Sequence, residues 1–310
     1  MLIGATGSQG CCCRTNIYVR IRQNCASLQR NWNFSTVEKT NNGGNTMILI
    51  TGASGQLSSL IIAKAKELGL DFITASRALN ADRQMDFDHI ETLDFTGVDT
   101  IFLTSAGYAE DDIVIRRHNN VITAASTQGV KHIVYTSLSC ASDHLGFALA
   151  HRWTERRLQE SGMAWTILRN GLYAGLIGSL TSSCEGRITA PFGSEEISAV
   201  SREDLADAAV TVLKDTAAHN NKVYELSGVK SFSVPDIARR LSVHYEPTDL
   251  STERSRLDTL QLLPFQVPML MSIYASSMAG FLKTDSSDLT KLVPKPRDAL
   301  AIACSVVTNA

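Results

Sequence analysis

What this chain lacks narrows it at once. Its seven cysteines (Cys11, Cys12, Cys13, Cys25, Cys140, Cys184 and Cys304) show no repeated Cys-x-x-Cys spacing and no Cys/His cluster. That excludes a zinc centre and a disulfide framework, and fits a reducing cytosol. Surplus charge is also missing. With 29 basic and 31 acidic residues the formal net charge is -2, too little positive field for nucleic acid as the main partner. Nor is there an unbroken apolar run long enough to span a membrane. The most apolar window, LLPFQVPMLMSIYASSMAGFL at 262–282, holds Pro264, Gln266 and Pro268, and prolines so placed break a continuous spanning helix. An apolar helix lining a core or a pocket is expected there instead. What remains, 310 residues at 44% hydrophobic and 19% charged, is ordinary globular composition for one large domain or two small ones.

Two glycine turns follow short apolar runs, MLIGATGSQG at the start and MILITGASGQLSSL from Met47. A phosphate-binding turn needs a strand to deliver it and a helix whose N-terminus faces the anion. After Gly55, Leu57, Leu60, Ile61, Ala65 and Leu68 fall at helical spacing, Gly69 stops the helix, and DFITASR reads as a second strand. The first turn has neither a following helical stripe nor a second strand. Residues 1–46 carry Arg14, Arg20, Arg22, Arg30 and Lys39 against Glu38 alone, a balance of 5 − 1 = +4, and end in the flexible linker NNGGNT. A transit peptide, a disordered extension and an upstream start ahead of Met47 are the readings open for that segment. The second turn is the one expected to bind.

Its spacing is Gly52-x-x-Gly55, with the small Ser58 where a third glycine would allow close helix–strand packing. Arg77 stands at the end of the second strand, 25 residues beyond Gly52, where an acid would read the ribose hydroxyl of NAD. The first acid downstream is Asp82. A guanidinium at this point pairs with a 2′-phosphate, so NADPH is expected over NADH. Strands are then expected in RQMDFD, VDTIFLTSAG, KHIVYTSLS and AWTILRNGLY, with a helix between the middle pair whose buried stripe is Ile113, Val114, Val121, Ile122 and Ala125. The alternation predicts an α/β fold, a Rossmann-type doubly wound parallel sheet with ligand at the carboxyl ends of the strands. Thr104, Ser105, Thr136, Ser137 and Asn170 all fall at such ends and outline one cleft.

The chain from Met47 onwards resembles the NmrA-like branch of the atypical short-chain dehydrogenase/reductases, most closely its NAD(P)H:quinone oxidoreductases. ITGASGQL, GVKHIVYTSL, ESGMAWTILRNGLY, AVSREDLADAAVTVL, KVYELSG and DSSDLTKLVPKPRDAL carry the likeness, in that order. The resemblance implies cofactor contacts at Gly52, Ser54, Gly55, Gln56, Leu57 and Arg77, with Phe87 near the adenine. It implies Thr104, Ser105 and Ala106 along the pyrophosphate and ribose, and Thr136, Ser137, Asn170, Leu172 and Tyr173 near the nicotinamide. Ala174 and Gly175 depart from the family, which often has an asparagine just after this point, and that bears on substrate choice.

Typical members of the wider superfamily use Tyr-x-x-x-Lys for acid–base work. Here the equivalent spacing holds Phe147 and His151, so only His151 is a candidate proton donor. Quinone reduction asks for little beyond positioning a flat acceptor, and Tyr173, Phe192, Phe265, Met269 and Tyr274 are the expected acceptor contacts. The alternative is a redox sensor that binds NADP(H) without turnover and acts through a protein partner. The expected division is 1–46 outside the fold, a Rossmann core of about 47–171 plus 199–228, and a smaller substrate lobe of about 172–198 plus 229–310. A helix over 202–214 and a strand over 222–228 return the chain to the core. No metal, nucleic acid or membrane span enters this reading. A homodimer and a cytoplasmic location do, with mitochondrial import if 1–46 is a leader.

Overall fold

In a computed structural model, residues 46–181, 183 and 185–308 are described. The first glycine turn and Cys11, Cys12, Cys13, Cys25 and Cys184 lie outside them. Seven strands form a parallel sheet: β1 (Ile48–Thr51), β2 (Phe72–Ser76), β3 (Arg83–Gln84), β4 (Thr100–Leu103), β5 (His132–Leu138), β6 (Ala164–Asn170) and β8 (Lys222–Leu226). Their order is β3-β2-β1-β4-β5-β6-β8. The order reverses between β1 and β4, the switch point at which doubly wound sheets open a crevice. A separate parallel pair joins β7 (Arg187–Ile188) to β9 (His244–Tyr245).

The central strands are apolar on both sides because helices cover both faces. On one face lie α1 (Gln56–Glu67) and α5 (Arg202–Lys214), which bury Ile50, Phe102, Val134 and Leu168 with Ile61 and Leu205. A Lys64–Asp207 ion pair joins those two helices. On the other face α2 (Asp111–Thr127) and α3 (Ala148–Gln159) cover Leu49, Ile101, Leu103 and Ile133. Ile113 falls outside the buried stripe expected of α2, and His118, fully buried, stands in it instead. The third expected strand shortens to Arg83–Gln84, and the last to Lys222–Leu226.

A third apolar cluster assembles the remaining segments: α4 (Ala174–Leu180), α6 (Val234–Leu241), α7 (Leu250–Asp258), α8 (Gln266–Met278) and α10 (Ala299–Thr308). The short α9 (Leu289–Leu292) packs against α5 in the sheet core. Pro268 is the third residue of α8, in the first turn, where a proline's missing N–H has no helical acceptor to lose. No helix among the described residues is long and apolar enough to cross a membrane.

Helices α4 and α10 pack closely at Gly178. A Cβ at Gly178 would run into the carbonyl oxygen of Ala303 and meet Val306 Cβ at 3.0 Å. Gly178→Ala is therefore expected to cost about 1–3 kcal/mol of stability, seen as a lowered Tm in thermal unfolding.

Candidate functional site

β1 delivers the chain to Gly52, whose φ of 64° lies in the left-handed region. A Cβ there would meet Ser58 and Thr104 at 3.5 Å, ordinary contact, so the backbone conformation alone asks for glycine. Gly55 is constrained by space instead, since a Cβ would come within 3.1 Å of the Gly52 carbonyl oxygen. Ser58 does the work expected of a third glycine and adds more. It is fully buried, donates to the Thr51 carbonyl at 2.9 Å, and lies 2.8 Å from the Thr104 hydroxyl, tying the glycine turn to the end of β4.

Helix α1 starts at this turn with Gly55 as N-cap, no side-chain cap and no acid in its first turn. By contrast α5, α6 and α7 are capped by Ser201, Ser233 and Asp249. An N-terminus left uncapped beside a glycine turn is where a phosphate fits. Ser54 and Gln56 are exposed on it, while the Leu57 side chain is core.

At the end of β2 the Arg77 side chain is exposed, and its guanidinium makes no hydrogen bond or ion pair among the described residues. Asp82 does not compete for a ribose. Its carboxylate folds back on Thr74, accepting from the backbone N–H at 2.8 Å and from the hydroxyl at 2.7 Å. Phe87 is half-buried, and Asn120 of α2 donates to its carbonyl at 2.9 Å. Next to it, Asp88 is clamped by Arg117, which with Arg116 holds its carboxyl down at about 2.

Beyond β4, three consecutive backbone N–H groups give their hydrogen bonds to side chains. Thr104 donates to Thr51 Oγ1 at 3.0 Å, Ser105 to Thr136 Oγ1 at 2.9 Å, and Ala106 to His118 Nε2 at 2.9 Å. His118 was invisible to sequence patterning, because its partners lie on the loop after β4 and on α3. With Nε2 accepting, its proton is assigned to Nδ1, which reaches Thr154 Oγ1 at 2.8 Å, and Thr154 donates on to the Ala150 carbonyl. Burial drives the His118 pKa down to about 3.

The ends of β5 and β6 carry the remaining expected contacts. The Ser137 hydroxyl is not offered to a ligand: it donates to Glu155 at 2.5 Å, inside a network with Arg152 and Arg169. Burial opposes the charge of Glu155, yet hydrogen bonds from Arg169 and Ser137 hold its carboxyl below the ordinary value. Asn170, by contrast, has a buried Oδ1 with no hydrogen-bond partner, the kind of orphan that a bound group satisfies. Leu172 is buried, and Tyr173 is half-buried beneath the Arg202 guanidinium, 4.3 Å from the ring centroid. Arg202 has no ion pair or hydrogen bond among the described residues; the acids nearby are engaged, Glu203 with Ser201 and Asp204 and Asp207 with Arg297. Only the fold shows this cation to be unpaired.

His151 is drawn inward, not left on the helix surface. Its Nδ1 lies 2.8 Å from the hydroxyl of Tyr135, a residue fully buried on β5. Burial keeps that phenol well above its ordinary pKa, so it stays protonated and donates. Burial, helped by the Arg152 charge, drives His151 down to about 4, so it is a neutral ring with its proton on Nε2.

Among the expected acceptor contacts, Phe265 and Met269 are half-buried at the start of α8. Phe192 and Tyr274 are core residues instead, each 1% exposed and packed edge to face at 4.9 Å. Their pairing encloses them in the third cluster.

The comparisons with known proteins agree with this geometry. A family model described as NAD(P)H-binding matches residues 52–216. Quinone oxidoreductase 2 of Escherichia coli is 32% identical over 291 residues, covering 85% of this chain and 99% of that protein. Its crystal structure, an NADPH-dependent quinone oxidoreductase complexed with NADPH, superposes with a TM-score of 0.75 at 29% identity, over 85% of this chain and 100% of that one. The Citrobacter triphenylmethane reductase complexed with NADP(H) superposes at 0.77 with 27% identity, over 84% and 99% of the two chains. An NAD(P)H azoreductase of Xenophilus azovorans is 25% identical over 82% of this chain and 96% of its own length.

The buried histidines fix the acid response of stability. His118, His132 and His151 have pKa values lowered to about 3, 4 and 4, burial being the largest cause in each. All three are neutral in both states above their ordinary value of 6.5, so their contribution is intact there. As the pH falls below that, the unfolded chain takes up protons that the folded one refuses. Tm is expected to hold steady near pH 7 and to fall progressively between about pH 6.5 and 4; a scanning-fluorimetry series across that range checks it.

Proposed function

We infer the function of this chain from its family, for it belongs to the NAD(P)H-binding family in its NmrA-like branch: it is an NADPH-dependent oxidoreductase that reduces quinones or similarly flat electrophiles. The observation that carries this reading is the contrast inside the cleft. Groups suited to hold the cofactor are plentiful, while Phe147 and His151 stand at the position of the missing dyad, and His151, hydrogen-bonded to the buried Tyr135, is held neutral at physiological pH. Chemistry that depends on a Tyr/Lys proton relay has no support there. Hydride transfer to a quinone needs no such relay, since the reduced oxyanion takes its proton from water or a weak donor.

NADPH, when bound, supplies the hydride; the chain supplies position and charge. The turn Gly52–Leu57 and the uncapped start of α1 receive the pyrophosphate, and Arg77 the 2′-phosphate. Phe87 borders the adenine. Thr104, Ser105 and Ala106, kept rigid by Thr51, Thr136 and His118, line the ribose side. Asn170 offers its free carbonyl oxygen to a donor on the nicotinamide end, where Leu172 and Tyr173 form the wall. His151 presents a neutral N–H. Tyr173, Phe265 and Met269 face the acceptor from the lobe of 172–198 and 229–310. We place the enzyme in the cytoplasm, acting on a small-molecule acceptor, with a homodimer as the working form proposed.

The test is NADPH oxidation by the full chain across a quinone panel, with NADH alongside. Saturable turnover with NADPH preferred is expected, and Arg77→Glu should erase the preference by about tenfold or more, the loss of one charge-assisted contact. Tight NADPH binding without reduction of any quinone would overturn the enzyme reading in favour of a sensor.

A further inference from the structure

Helix α8 lies across the loops that leave β4 and β5, and aromatic pairs hold it at both ends. At its start Phe265 meets Tyr108 edge to face, ring centroids 5.2 Å apart and planes at 89°. Just past its end Phe281 stacks on His144 at 3.9 Å and 25°. Between them the Gly146 N–H donates to Ser272 at 3.0 Å. The two pairs differ in what surrounds them. Tyr108 stands two residues beyond the pinned run Thr104–Ala106, on the loop that closes the carboxyl end of β4, and is 55% exposed. Phe265 comes from the other side of the cleft, as the N-cap residue of α8. No hydrogen bond joins the two residues, so ring contact alone spans the crevice at this point.

Resting on the reductase reading above, we propose that Tyr108 and Phe265 are the acceptor-selecting pair: a planar acceptor parts the two rings and stacks on Tyr108. An edge-to-face contact between aromatic rings is replaced in kind when a third ring enters. The pinned run Thr104–Ala106 anchors the loop that bears Tyr108, and the lobe carries Phe265 aside. Tyr108 offers its face at the mouth, so a fused second ring on the acceptor adds contact that a single ring lacks. The pair therefore favours two-ring and larger acceptors over single-ring ones. Phe192 and Tyr274 cannot serve this way, because each is closed in the core.

The experiment combines turnover with binding on the full-length protein. Wild type, Tyr108→Ala, Phe265→Ala and Tyr108→Phe are compared for kcat/KM with menadione, a two-ring quinone, and with benzoquinone. Menadione binding to the NADP-loaded protein is measured by calorimetry on the same four proteins. Each alanine variant is expected to lower the menadione-to-benzoquinone ratio by about three- to tenfold, the worth of one aromatic pair, and to weaken menadione binding in parallel. Tyr108→Phe, which retains the ring, should keep the wild-type ratio, and NADPH affinity should not move in any variant. Unchanged ratios and unchanged isotherms in both alanine variants would overturn the pair. If wild type oxidises no NADPH with any quinone, the reductase reading falls by itself, and the isotherms still decide whether these rings hold a planar ligand.

Discussion

The chain that leaves β4 has stepped out of the sheet, yet its next three residues are half-buried and their N–H groups still need acceptors. An unpaired buried amide costs about 1–3 kcal/mol, so three in a row is a demand the fold has to meet. It does so with side chains that extend the ladder: Thr51 from β1 on one flank, Thr136 from β5 on the other, and His118 from α2. Thr51 also donates to the Phe102 carbonyl, so one hydroxyl serves both sides of the strand end. The position of every group around the crevice follows from this. Ser58 is set against Thr104 and the glycine turn against Ser58, and Tyr108 follows two residues beyond the pinned run.

Charge is handled by a parallel arrangement on the far side of β5. Glu155 is buried, and Arg152, Arg169 and Ser137 compensate it, with Glu225 of β8 meeting Arg169 at 3.0 Å. Breaking such a network by deleting one member leaves an uncompensated buried charge. The network joins α3, β5, β6 and β8, the elements beside the proposed nicotinamide end of the cleft. The ionised groups of this network are thus held in the framework, while His151 and Tyr135 stay neutral. A site so arranged suits the transfer of hydride to an apolar ring better than the movement of protons.

Much of this was legible in the order of residues. The glycine turn, its helix and Arg77 depend on local rules, so spacing and capping were enough to read them. Helix α5 was expected at 202–214 from the family likeness of AVSREDLADAAVTVL, and the Ser201 side chain caps it there. What sequence could not show is which distant residues meet. Nothing around His118 marks it as the acceptor for Ala106, and nothing around Tyr135 says that it will orient His151. The aromatic residues of the lobe looked alike as candidates for a pocket wall. Packing among α4, α7, α8 and α10 decides that Phe192 and Tyr274 are enclosed while Phe265 remains at the edge. Ile113 and His118 exchanged roles on α2 for a similar reason: hydrophobicity predicts burial on average, and a hydrogen-bond requirement at one place overrides it.

The position of β8 in the sheet bears on how the molecule assembles. It pairs with β6 in parallel, Thr166 against Lys222 through Asn170 against Leu226, yet the chain between them, 171–221, makes a long excursion through α4, β7 and α5. The final strand of the sheet can dock only after that excursion has found its own place. Non-local pairings of this kind slow folding, because loop entropy is spent before contacts return it. The first six strands and their covering helices can form a partial sheet with β6 as a temporary bare edge. Nascent chains would meet their greatest hazard of intermolecular pairing at that moment, with the sequence Ala164–Asn170 as the strand at risk.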